Sequence, residues 1–241
     1  MNKNFLPGTI ICGMLLASGI ASGGYFIGQT MYNAKVALNT AEAKGLAERR
    51  VKADLVNWQM SFSLRTSQKA AVPQLYKNAE QVQIELSQIL KKHGFSPEEI
   101  KLGIIDQSYS EIRDQNKNIK SQAYTLSATV AIESNQVALL APARREMNKL
   151  ISKGYSISNN EPRYTYTKLN QIKPEMLKEA TSNARMAANE FAKNANVKVG
   201  GIRNARQGNF YIRDAGSEYG DSHRMEKDVR VVTTITFYLD K

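Results

Sequence analysis

The chain has 241 residues, 33 Lys and Arg against 22 Asp and Glu, a net charge of +11, and 42% hydrophobic residues. That balance excludes a disordered chain and is long enough for one large domain or two small ones with real cores. The single cysteine, Cys12, lies in the apolar N-terminus. The rest of the chain therefore holds no disulfide, no thiolate nucleophile and no Cys-based metal site, and no cofactor is expected. The basic excess suits an anionic partner such as lipid head groups or an acidic surface. Lys and Arg are nevertheless spread along the chain, without a run of five, a ribonucleoprotein motif or zinc-finger spacing, so nucleic acid is not an expected partner.

No charged side chain occurs between Lys3 and Lys35. The apolar stretch 5–27 reaches the roughly 20 residues that cross a bilayer and exceeds the core of about 7–15 residues in a cleaved signal. Small residues at Ala17-Ser18-Gly19 and Ala21-Ser22-Gly23 would suit a signal peptidase. The length, with Tyr25, Phe26 and Tyr32 placed for an interface, favours an uncleaved signal anchor over 1–32, with the bilayer as its partner. Gly19, Gly23, Gly24 and Gly28 fall at four-residue spacings that permit close helix–helix contact in a membrane. A lipoprotein reading of Cys12 fails, because Ile10 and Ile11 precede it. Lys3 before the span is balanced by Lys35 and Lys44 after it, so charge alone does not orient the anchor.

Residues 33–44 read as a polar, Ala-rich spacer, and 45–241 as the folded domain. The segment 45–66 is its spine. Val56, Trp58, Met60, Phe62 and Leu64 alternate with Asn57, Gln59, Ser61, Ser63 and Arg65, which predicts a strand with one dry face. Val51, Ala53 and Leu55 alternate in the opposite phase, so a bulge or a change of packing surface is expected at Leu55-Val56. An amphipathic helix over 71–93 follows, with Leu75, Ala79, Val82, Leu86, Ile89 and Leu90 inward and Gly94 at its end. Ser96-Pro97-Glu98-Glu99 is a capping box that predicts a short helical turn. Strands over 102–112 and 121–133 flank the polar connection 115–118 as a hairpin. A helix begins near Pro142, with Met147, Leu150 and Ile151 inward and Gly154 at its end. A Tyr-rich strand falls within 155–169. A helix opens at Lys173 or Pro174 and runs to about Lys193, its buried stripe read as Leu177, Ala180, Ala184, Ala187 and Phe191. A Gly-interrupted β segment, 197–212, and a polar loop, 214–227, lead to the closing strand 229–239, which is expected inside the sheet. The pattern is α+β: a largely antiparallel sheet with helices packed on one face, preceded by one transmembrane helix.

Candidate chemistry is thin. Gly220-Asp221-Ser222-His223 looks like an esterase nucleophile block, yet no histidine follows it, and a turn explains it better. His93 is explained by its helix end, Glu98 and Glu99 by capping, and Glu48 and Asp54 by a solvated strand face. Two distant histidines do not make a nucleophile–base pair or a zinc site. No catalytic residue is assigned, and a non-enzymatic role is expected. A carboxylate-only enzyme stays open as an alternative. So does a basic binding module for anionic lipid or another polyanion, if Arg144, Arg145, Arg203, Arg206 and Arg213 form one patch.

Several strings together resemble the SIMPL-domain family of bacterial periplasmic and membrane-anchored proteins. They are Gly45-Leu-Ala-Glu-Arg-Arg-Val-Lys-Ala-Asp-Leu with Trp58, Gly94-Phe95 through Glu99-Ile100, and Lys173-Pro174-Glu175-Met176 with the Ala-rich helix. Gly208-Asn209-Phe210 and the closing Val229-Arg-Val-Val-Thr-Thr complete the set, and the N-terminal anchor is similar to that of a membrane-bound branch. The resemblance implies an α+β fold and homo-oligomeric rings or cage-like assemblies in the cell envelope. Some members are labelled periplasmic immunogenic or oxidative-stress defence proteins. It carries no established catalytic residues. It leads to an expectation of a single-pass inner-membrane protein whose domain lies in the periplasm, or otherwise outside the cytoplasm, with itself as partner.

Overall fold

The computed structural model describes residues 6–36, 39–152 and 155–240. Helix α1 (Leu6–Val36) is followed by β1 (Thr40–Lys52), β2 (Leu55–Thr66), α2 (Val72–Lys92), β3 (Ile100–Leu102), β4 (Asp106–Arg113) and β5 (Ile119–Ser134). The chain continues through α3 (Leu140–Ser152), β6 (Ser156–Asn159), β7 (Arg163–Thr165), α4 (Leu169–Asn194), β8 (Lys198–Gln207), β9 (Tyr211–Asp214) and β10 (Glu226–Asp240). The α+β, antiparallel architecture expected from the sequence is present, with its strands divided between two sheets. A four-stranded sheet has the order β1-β10-β8, with β9 also on β10; a six-stranded sheet has the order β3-β5-β2-β6, with β4 on β5 and β7 on β2.

The division follows from the phase switch in the spine. Ala43, Gly45, Ala47 and Ala53 are buried on odd positions of β1 and its exit, whereas Val56, Trp58, Met60 and Phe62 are buried on even positions of β2. Two residues, Ala53 and Asp54, absorb the change, and the strands on either side join different sheets. Strand β1 starts at Thr40, inside the segment expected to be spacer.

The chain separates into two compact units. The second comprises Glu48–Pro174 and Phe210–Arg230. Its core lies between the dry face of the β2–β5 pair and helices α2 and α3, where Val56, Trp58, Met60, Leu86, Leu90, Val130, Ile132, Leu140 and Met147 pack together. β2 and β5 run antiparallel in unbroken register from Val56↔Ser134 to Thr66↔Tyr124. Helix α2 ends in a Schellman motif: Gly94 takes φ +98, its N–H reaches Lys91 O at 3.0 Å, and the Phe95 N–H reaches Leu90 O at 3.2 Å. The buried Phe95 ring provides the apolar contact that accompanies this cap. The capping box forms by half. Glu99 accepts from the Ser96 N–H at 2.8 Å, but residues 97–99 make a turn that enters β3 directly. The hairpin connection is a turn organised by Asp114, whose Oδ1 accepts from Asn116 and Asn118 N–H at 2.8 Å each. Ile151 is exposed rather than inward, because Leu140, Ala143, Met147 and Leu150 form the three- and four-residue stripe that meets the core. The expected helix end at Gly154 lies outside the described residues.

The first unit comprises Met1–Ala47, Glu175–Asn209 and Val231–Lys241. Here α4 packs by a stripe of strict four-residue spacing, Met176, Ala180, Ala184, Ala188 and Ala192, all buried. Phe191, expected inward, is 63% exposed. The alanines permit the close approach instead. A Cβ on Gly45 would lie 1.8 Å from Ala180 O and 2.5 Å from Ala184 N, so β1 and α4 touch backbone to backbone. Ala43, Ala184 and Ala188 close on Ile235 and Phe237 of β10, and the Arg185 guanidinium lies over the Phe237 ring at 5.0 Å. Helix α4 begins four residues before Lys173 and keeps Pro174 inside it. The C-terminal strand is interior, as expected, flanked by β1 and β8.

Candidate functional site

Helix α1 is long and apolar enough to cross a membrane over Ile10–Ala34, with a mean hydropathy of 1.8, and no part of that span is buried by protein. Two of its hydroxyl side chains bond within the helix. Ser18 Oγ donates to Leu15 O at 2.9 Å and Thr30 Oγ1 to Phe26 O at 2.8 Å, which leaves no free hydroxyl donor to face hydrocarbon at these positions. Gly19, Gly23, Gly24 and Gly28 have nothing within 4 Å of their Cβ positions, so this face stays open to another helix or to lipid.

The five arginines considered as an anion patch divide between the units. Arg144 and Arg145 lie on α3 and Arg213 on β9, whereas Arg203 and Arg206 lie on β8. Two are already used as aromatic cover: Arg144 lies over Trp58 at 5.8 Å and Arg213 over Tyr211 at 5.8 Å. Trp58 is fixed further by its Nε1–H, which donates to Asn160 O at 2.8 Å. The Tyr-rich segment is β7, paired to β2, and Tyr164 is packed against the core of its unit.

The carboxylates of the second unit serve as structural acceptors. Burial alone would raise Asp54, but its hydrogen bonds from Thr167 N–H at 2.6 Å and Thr167 Oγ1 at 2.8 Å, with Lys168 nearby, hold it below the ordinary Asp range. Burial likewise opposes ionisation of Glu99, and the Ser134 hydroxyl at 2.6 Å and the Ser96 N–H prevail. Glu146 is lowered by Lys92 at 2.8 Å and by His93 at 2.6 Å, an arrangement that links the end of α2 to α3. Asp228 is lowered by a two-pronged contact from Arg50, at 2.8 and 3.1 Å. Each of these four carboxyls is thus held as an anion, which is the opposite of what a general acid requires. Concavities occur in the same unit, and one of about 390 Å³ brings Glu98, Glu99 and Glu133 together with Lys101. One of about 360 Å³ lies between α2 and α3, with Glu85, Lys92, Glu146 and Lys149 around Ile89 and Leu150. One of about 430 Å³ is lined by Asn57, Gln59, Ala131, Asn160, Glu161 and Arg163. Among the described residues no three His, Cys, Asp or Glu side chains gather as a metal site.

Sequence reasoning missed the most deeply buried charges. Lys227 is fully buried, and its ammonium donates to Asp214 Oδ1 at 2.5 Å and to Asp221 O at 2.7 Å. The two residues sit directly opposite each other on β9 and β10. Asp214 also accepts from His223 N–H at 2.9 Å and Arg224 N–H at 3.1 Å. The segment Gly220-Asp221-Ser222-His223, read as a turn in spite of its esterase likeness, is a loop, and it folds over this ion pair. Its Ser222 carbonyl accepts from Tyr164 N–H, and its His223 ring is exposed. Burial would raise Asp214, and the Lys227 ammonium with the two N–H groups brings it below the ordinary range.

No curated protein matches the chain. A family model does: SIMPL, described as a protein of unknown function (DUF541), matches residues 42–237.

Proposed function

Because the chain belongs to the SIMPL family, we propose that it is a non-enzymatic, membrane-anchored protein of the cell envelope that assembles into a homo-oligomeric ring or cage-like scaffold. The observation that carries this reading is the 25-residue apolar span Ile10–Ala34, unburied along its whole length and joined to the SIMPL domain by a few residues. Burying such a surface in hydrocarbon is strongly favourable, whereas exposing it to water is not. The anchor is single-pass in the inner membrane, and the domain faces the periplasm or the outside of the cytoplasm. Support for assembly comes from the resemblance, from the small-residue face of α1, and from sheet edges that the described chain leaves uncovered. The structural use of Asp54, Glu99, Glu146 and Asp228 favours this reading over a carboxylate enzyme. The engagement of Arg144 by Trp58 and of Arg213 by Tyr211 favours it over a polyanion patch built on all five arginines.

The anchor and its orientation are tested with a Cys12→Ser, Glu218→Cys variant of the full-length protein. An impermeant maleimide is expected to label Glu218→Cys in intact spheroplasts, and alkaline carbonate is expected to leave the protein in the membrane. Labelling only after permeabilisation would reverse the orientation. Release by carbonate would remove the anchor.

A further inference from the structure

Among the described residues several strands are hydrogen-bonded to one strand only, and of these β4 and β8 are the long ones exposed along most of their length. β4 is hydrogen-bonded to β5 alone, and all eight of its residues are exposed. β8 is hydrogen-bonded to β10 alone, and every residue from Gly201 to Gln207 is exposed. Such edges present rows of unpaired N–H and C=O groups that template another strand. β4 lacks proline and lysine, the usual protection of an edge, and its one register irregularity falls at its last residue. Tyr109, Ile112 and, on β8, Ile202 stay exposed although apolar.

The two edges differ in charge. β4 carries Asp106 and Glu111 against Arg113, a net charge of −1. Glu111 is already held by Arg113 Nε at 2.7 Å and by the Tyr109 hydroxyl at 2.7 Å, which leaves Asp106 as the acid without a side-chain cation on its own strand. β8 carries Lys198, Arg203 and Arg206 with no acid, a net charge of +3. Pairing β8 with another β8 sets like charges together, and β4 with β4 joins two strands of net charge −1, where an antiparallel register sets Asp106 only against an Arg113 that Glu111 already holds. Pairing β4 with β8 brings opposite signs together, which directs strand pairing and suppresses wrong partners.

We propose that β4 of one copy adds edge to edge onto β8 of a second copy, so that the anion faced by Arg203 and Arg206 is the acidic edge strand of a neighbour. This rests on the homo-oligomer reading above and names its interface. The contact joins two different surfaces, so it is heterologous: used one way from copy to copy it closes into rings or runs on as a filament, and used reciprocally by two copies it stops at a dimer. Eight residues of strand, about 27 Å long, supply the backbone pairing.

The test uses full-length protein in mild detergent, in a Cys12→Ser background with Ser110→Cys, Ala205→Cys or both. Mild oxidation of the double variant is expected to give a ladder of covalent multimers beyond the dimer. Mixed single variants are expected to give a dimer containing one of each, and neither single variant alone a dimer. In parallel, Arg203→Glu with Arg206→Glu is expected to weaken association about tenfold or more, with recovery on adding Asp106→Lys and Glu111→Lys. Dimers from one single variant alone would replace this pairing with a like-to-like one. An oligomer unaffected by the charge reversals and showing no cross-link would overturn this interface while leaving the scaffold reading in place. A monomer would overturn both.

Discussion

Gly45→Ala probes the closest contact in the first unit. The added methyl meets Ala180 O at 1.8 Å, Ala184 N at 2.5 Å and Ala180 C at 2.9 Å, all of them backbone atoms inside α4. No side-chain rotation relieves the clash. Strand and helix must part by about 1.2 Å before the methyl reaches even the 3.0 Å that real contacts respect. Overpacking costs about 1–3 kcal/mol where side chains can yield. A gap of this size also forfeits about a quarter to a half of the dispersion attraction between the alanine stripe and its neighbours. The expected loss is therefore about 3 kcal/mol or more, a lowering of Tm by about 6–12 °C for a chain of this size. The assay is thermal unfolding of full-length protein in mild detergent, followed by circular dichroism. Gly201→Ala is the control, since its Cβ position has nothing within 4 Å. If Gly45→Ala melts with the wild type, the backbone contact of β1 with α4 is wrong.

Lys227→Met leaves Asp214 as a buried carboxylate without its cation, which is expected to cost about 3–5 kcal/mol. Urea unfolding of the full-length protein read by Trp58 fluorescence checks this, since Trp58 belongs to the same unit, and a change under about 1 kcal/mol would contradict it. Gly94→Ala places a side chain at φ +98 and is expected to cost about 1–2 kcal/mol in the same assay. Asp54, Glu99, Asp214 and Asp228 have native pKa values below their unfolded ones. The unfolded chain therefore binds more protons in the interval between the two values. Stability is expected to be full above about pH 5 and to fall as pH drops through the unfolded and then the native range. A urea midpoint unchanged from pH 7 to pH 3.5 would contradict this.

Much of the fold was legible because its signals are local. The phase switch at Leu55-Val56 marks the crossing between sheets, and the alternation in β5 and β10 gives their buried faces. Gly94 announces the end of α2. What failed was non-local or carried by small residues. The stripe of α4 was right at Ala180 and Ala184 but was drawn toward Phe191, because Phe outweighs alanine in any hydrophobic count while the true contact selects for the absence of bulk beside Gly45. Strands β3 and β4 were read as one. The break falls at Gly103, where a Cβ would meet Thr129 Oγ1 at 2.3 Å, a closeness fixed by a strand 26 positions away. Lys227 and Asp214 read as loop residues because burial of both depends on closing the segment between them. A Lys one strand step before Val229 on a dry face was the available signal. Of the candidate site, the apolar span Ile10–Ala34 was legible from hydropathy alone. Which edges remain unpaired was not, since that depends on the whole strand order.

The most direct test of the scaffold is the mass of the full-length protein extracted in mild detergent, measured by light scattering with the detergent contribution subtracted and by negative-stain imaging. The account predicts a closed particle whose protein mass is a multiple of the 26.9 kDa chain. A single 26.9 kDa chain at micromolar concentration would contradict it.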